Sequence, residues 1–115
     1  MVCEGYTTGA SIHETTGYAV AVAFTSGNLL AVATALHKKY AALTIVVAAD
    51  DDWRTEGNPG LTSAKRAAMA VGGVVVRPHF PTDRPPKATD FNYLAVIAGL
   101  DAVRACFLEL EVFSC

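Results

Sequence analysis

The chain is short of positive charge. Its 115 residues carry nine Lys and Arg against eleven Asp and Glu, for a formal net charge of −2. A domain that grips DNA unaided needs a basic footprint, and none is present. Either nucleic acid is not the partner, or a neighbouring domain supplies the positive charge. Cysteine is also scarce. Cys3, Cys106 and Cys115 are odd in number and match no zinc spacing. This excludes a disulfide framework and fits reduced thiols in a cytoplasmic protein. Polar residues interrupt every apolar run well before the ~20 positions a membrane span needs. The opening Met1-Val2-Cys3-Glu4 lacks a basic region followed by an apolar stretch, so no secretory leader is expected. Repeats and low-complexity segments are absent. With 52% hydrophobic residues, disorder is excluded, and the length suits one domain with a real core.

What is present alternates between strand and helix signals. Met1-Val2-Cys3 reads as the stub of a strand, and Tyr6–Thr16 as a helix stopped by Gly17. Ala19–Phe24 is a strand candidate, and Ser26-Gly27-Asn28 is a helix start. Leu29, Val32, Ala33, Leu36 and Tyr40 follow at helical spacing, with Lys38 and Lys39 placed to favour the helix dipole. Thr44–Ala49 is β-branched and apolar on both faces, as a central parallel strand should be. Asn58-Pro59-Gly60 punctuates the chain before a small-residue stripe, Ala64, Ala67, Ala68 and Val71. Gly72-Gly73 ends that helix, and Val74–Val76 is another buried strand. A proline-rich loop runs from Pro78 to Pro86. Asp90 then caps a helix through Phe91, Leu94, Ala95 and Ala98. The order β-α-β-α-β-α-β-α predicts an α/β fold, a mainly parallel sheet of about four strands flanked by helices. In such sheets ligands sit beyond the C-terminal ends of the strands. Residues 1–100 form the expected domain. Residues 101–115 are an extension in which Leu108, Leu110 and Val112 alternate with Glu109 and Glu111, the pattern of an extra edge strand.

Carboxylates gather where that rule directs attention. Glu4 follows the first strand, and Asp50-Asp51-Asp52 follows the third. On an extended chain, residues i and i+2 share a face about 6.6 Å apart, so Asp50 and Asp52 point one way and Asp51 the other. If those strands are neighbours, Glu4 lies roughly one strand spacing (~4.8 Å) from the pair. Like charges that close raise one another's pKa unless a cation intervenes. An all-oxygen donor set suits Mg²⁺ or Mn²⁺.

These residues resemble a known family. Glu4-Gly5-Tyr6, a helix containing Ser11-Ile12-His13-Glu14, and Ala48-Ala49-Asp50-Asp51-Asp52 are similar to the Toprim domain of primases, topoisomerases and some nucleases and recombination proteins. The resemblance is greatest to Toprim domains of primases and primase-helicases of phages, plasmids and mobile elements. It extends to Ala23–Leu29, Glu56–Gly60 and Thr89–Asn92, and covers about Val2 to Gly99. It implies a Rossmann-like fold, a glutamate acting as metal ligand or acid/base (Glu4), and a metal-binding Asp-x-Asp pair (Asp50 and Asp52). Asp90 resembles a later acid, a further metal-ligand candidate, and reads equally well as a helix cap. The implied chemistry is Mg²⁺-dependent nucleotidyl transfer in primer synthesis, with nucleic acid and nucleotides held through neighbouring domains and little turnover by this domain alone. Two departures from the pattern stand out. Only three residues precede Glu4, so the first strand reads as clipped from a longer protein, and Tyr93 stands where close relatives carry another acid.

Other residues bear on partners. Arg54 directly follows the acidic cluster, where it could meet a phosphate or pair with Asp52. Trp53 could stack on a base or pack over the strand end. Lys65 is a candidate nucleic-acid contact and by default a solvated charge on a helix. His13, His37 and His79 read as surface, packed or loop residues. Two rival functions use the same features. A Toprim-type nuclease would cleave where a primase extends, and a non-enzymatic α/β interaction module can also gather acids at strand ends. A receiver-like module would want a lysine after a late strand, and Val74–Val76 is followed by Arg77 and Pro78.

Overall fold

Short apolar runs become strands here, and longer amphipathic stretches become helices. The computed structural model describes residues 1–108. Strands β1 (Val2–Cys3), β2 (Ala21–Val22), β3 (Val46–Ala48) and β4 (Val74–Val76) form one parallel sheet in the order β2-β1-β3-β4. The strands are shorter than the apolar runs that predict them. Their backbone groups still bond across the sheet. Ala23 N–H donates to Cys3 O and Ala49 N–H to Val76 O, each at 2.8 Å.

The helices are α1 (Tyr6–Thr16), α2 (Leu29–Lys39), α3 (Pro59–Val71), α4 (Phe91–Ala98) and α5 (Leu100–Ala105). Their ends follow local chemistry. Gly17 and Gly72 adopt left-handed backbone (φ 75° and 62°) and stop α1 and α3. Asn58 caps α3 by accepting from Leu61 N–H, with Pro59 in the first turn. Asp90 caps α4 through Tyr93 N–H.

Strand alternation divides the core into two layers. Val2, Ile45, Val47 and Ala49 pack with Leu29, Ala33 and the Ala64, Ala67, Ala68 stripe, so α2 and α3 cover one face. Cys3, Ala48 and Val76 pack with Ile12, Phe91, Leu94, Val103 and Phe107, so α1, α4 and α5 cover the other. The small side chains of α3 let it lie close to the sheet.

The topology places the functional end. β1 and β3 are neighbours, with Cys3 opposite Ala48. The chain leaves β1 into α1 on one face and leaves β3 into α3 on the other. Adjacent strands whose connections diverge open a crevice at their C-terminal ends. Glu4 and Asp50–Asp52 stand there.

Beyond α4 the chain forms α5, and Phe107 is buried with its ring centroid 5.0 Å from that of Phe91. Cys106 and Phe107 continue from α5 as a turn, and Leu108, the first residue of the expected alternation, is helical. The rest of the alternating tail expected as an edge strand, 109–115, lies outside the described residues. Among the described residues no helix is long and apolar enough to cross a membrane.

Candidate metal centre

Asp50 lies at the middle of the acidic crevice. The charges of Glu4, Asp90 and Asp52 all act on its side chain. Burial first, then Glu4, Asp90 and Asp52, push the Asp50 carboxyl up to about 8. Its Oδ1 is buried and has no hydrogen-bond partner among the described residues. Cys3 lies just beneath. Burial and the Asp50 charge raise its thiol to about 11, so it is a neutral packing group that donates to Gly5 O at 3.3 Å.

Asp52 is held differently. Its Oδ2 accepts from Gly60 N–H at 2.7 Å, at the N-terminus of α3. A Cβ on Gly60 would lie 2.7 Å from that oxygen and 2.9 Å from Asp50 Cβ, so only glycine lets α3 come this near. Asn58, in left-handed backbone (φ 42°), ties the segment together. Its Oδ1 accepts from Asp52 N–H at 2.7 Å, and its Nδ2 donates to Asp51 Oδ1 at 2.6 Å.

Asp51 turns the other way, as strand alternation predicts. It is 7% exposed and pairs with Arg84, whose Nη1 donates to Oδ2 at 3.0 Å. Arg84 Nη2 also donates to Asp51 O at 3.1 Å. Burial pushes the Asp51 carboxyl up, but the Asn58 amide and Arg84, aided by Arg77, outweigh it and hold the carboxyl below its usual range. Asp51 N–H donates to Thr89 O at 2.6 Å, which brings Asp90 to the crevice.

The structure thus brings Glu4, Asp50, Asp52 and Asp90 to one strand end. Asp90 combines both readings: it caps α4, with Oδ1 accepting from Tyr93 N–H at 2.7 Å, and its charge reaches Asp50. The side chains are not drawn into a closed ligand set. Among the described residues no three His, Cys, Asp or Glu stand in an arrangement ready to hold a metal ion. The donor chemistry nonetheless suits a hard divalent cation: all donors are oxygens, and Asp50 Oδ1 is a buried acceptor with nothing to accept.

Arg54 makes no ion pair with Asp52 and lies over the Trp53 ring instead, 5.4 Å from its centroid. Lys65 is exposed on α3. His13 is exposed too, its Nδ1 2.8 Å from Tyr18 O. Sequence reasoning missed Arg84. The stretch Pro81-Thr82-Asp83-Arg84-Pro85-Pro86 carries no periodic signal, and only the fold shows that it returns to β3. Gly60 and Asn58 were readable as a helix start, but not as the holders of Asp52.

The chain is 45% identical over 104 residues to one DNA primase TraC of Escherichia coli, in a match covering 81% of this chain and 10% of that protein. It is 46% identical over 84 residues to a second DNA primase TraC of Escherichia coli, covering 70% of this chain and 6% of that protein. The chain therefore spans a tenth or less of these relatives. No solved structure matches it. The Toprim domain family matches residues 1–101, on the same elements that carry the carboxylate crevice, and the chain belongs to that family.

Proposed function

We propose that this domain is the metal-binding part of a primase-like protein and supports Mg²⁺-dependent nucleotidyl transfer in primer synthesis. The observation that carries this is the Asp50 carboxyl, buried among Glu4, Asp52 and Asp90 with one oxygen unpartnered. Four carboxyl groups crowded at one strand end are unfavourable without a cation. Asp50 and Asp52 would hold Mg²⁺ or Mn²⁺, with Asp90 as a further ligand. The chemistry the ion supplies when bound is neutralisation of phosphate charge and stabilisation of the attacking and leaving oxygens.

The chain's own groups have defined tasks. Glu4, beside Asp50, takes up or delivers a proton at the strand end, or serves as an added ligand. Gly60 N–H fixes the Asp52 carboxylate. Arg84 withdraws Asp51 from the crevice, so the odd member of the Asp run acts as an anchor. The relatives' names as DNA primases favour extension over cleavage, and their length leaves room for the basic surface this chain lacks. Nucleic acid and nucleotides would be held with those neighbouring parts, in the cytoplasm.

Mn²⁺ titration followed by NMR line broadening tests the metal assignment. Broadening should centre on Glu4, Asp50, Asp52 and Asp90 and vanish in Asp50→Ala/Asp52→Ala. Unaltered broadening in that variant would refute it. Ribonucleotide incorporation on a single-stranded template, against cleavage of the same strand, by a longer protein containing this domain separates priming from nuclease chemistry.

A further inference from the structure

The carboxylate crevice has an aromatic and basic rim that the metal assignment does not use. Trp53, the residue after Asp52, is 40% exposed. The Arg84 guanidinium carbon lies 4.4 Å from the centroid of its ring, and that of Arg54 lies 5.4 Å away. Arg84 is itself pinned. It packs on Phe80 with its guanidinium carbon 4.6 Å from the ring centroid, and it bonds both the carboxylate and the carbonyl of Asp51. Tryptophan side chains in folded proteins are mostly covered. This one is oriented by a fixed guanidinium and still left accessible.

The charges of the two arginines are spent differently. Arg84 is matched by Asp51. Arg54 is exposed and forms no ion pair among the described residues. An accessible indole beside an unmatched guanidinium offers a stacking surface and a phosphate contact within one residue. We propose that Trp53 is a stacking platform for a nucleobase at the rim of the crevice, with Arg54 meeting the attached phosphate and Arg84 positioning the ring. The proposal deepens the function inferred above and rests on it for the class of ligand, but its test does not depend on the metal. A nucleobase with its phosphate can come from a nucleoside triphosphate or from a single strand.

Trp53 is the chain's one tryptophan, so its emission reports on this position alone. The domain is titrated in EDTA, and again in Mg²⁺, with ATP and separately with an oligothymidylate. Saturable quenching is expected. A response to ATP alone assigns the platform to the incoming nucleotide, and a response to the oligonucleotide assigns it to a strand. Trp53→Leu should weaken binding of a labelled oligothymidylate or of ATP, whichever responds, by roughly tenfold, with Trp53→Phe recovering most of the loss. Mn²⁺ binding should be unchanged in both variants. If the metal assignment fails, the response in EDTA persists. Emission indifferent to both ligands, or a Leu variant that binds as tightly as wild type, overturns the proposal.

Discussion

The backbone N–H of Gly60 points at Asp52 Oδ2 from 2.7 Å, and the space a Cβ would take on Gly60 is already filled by Asp52 and Asp50. The first turn of α3 and the acidic crevice are therefore packed as one unit. Gly→Ala inside a helix ordinarily gains about 0.5–1 kcal/mol. Here the sign should reverse. Gly60→Ala is expected to cost about 1–3 kcal/mol through overpacking, read as a lower urea midpoint. It should also weaken Mn²⁺ binding by displacing Asp52.

Asn58→Ala tests the same junction from the side-chain end. It removes the cap of α3 and the bonds to Asp51 and Asp52, and it leaves alanine at a positive φ. A loss of about 2 kcal/mol is expected, at the upper end for a helix cap. Asn58→Asp should recover the cap but sets a second carboxylate against Asp51 Oδ1, where the amide N–H stood at 2.6 Å, so it should not restore wild-type stability.

Arg84→Ala leaves Asp51 buried without its cation. Breaking a pair this enclosed should cost about 2–4 kcal/mol in urea unfolding. The loss should shrink in Asp51→Asn/Arg84→Ala, where no charge is stranded. Equal losses in both would mean that Arg84 acts through packing on Phe80 and Trp53 and not through its charge.

Much of this is legible in the sequence. β-branched runs and glycine stops located the sheet and helices, and strand alternation separated Asp51 from Asp50 and Asp52. The position of Glu4 depends on β1 and β3 being neighbours, and the topology makes them so. Arg84 stayed invisible because its partner lies 33 residues away through a loop without periodicity. α5 stayed invisible because the alternation of the tail outweighed the short apolar spacing before it. The crowding at Gly60 is a tertiary contact, and no local pattern encodes how near a helix start may come to a neighbouring carboxylate.

Asp50 should give the metal-free domain an unusual pH dependence. Its folded value, about 8, lies above the ordinary 3.8, so the folded protein holds the extra proton between those values. The stability this contributes is complete below 3.8 and falls as pH rises through about 8. Asp50→Asn should therefore be the more stable protein near pH 8, by on the order of 1–3 kcal/mol after solvent screening, and nearly equal to wild type near pH 4. Asp51 contributes with the opposite sign: its depressed value lends stability above the ordinary 3.8 that is lost as pH falls further. Chemical denaturation across this range checks both.

Calorimetric titration of the domain with Mn²⁺ at pH 7, in two buffers of different ionisation enthalpy, tests the central assignment most directly. A cation that binds at Asp50 must displace the proton held there, so the observed heat should differ between buffers by an amount corresponding to about one proton released. Asp50→Ala/Asp52→Ala should abolish both the binding and the buffer dependence. Binding that survives in the double variant would contradict the metal centre at this strand end, and binding without proton release would show that Asp50 is already ionised there.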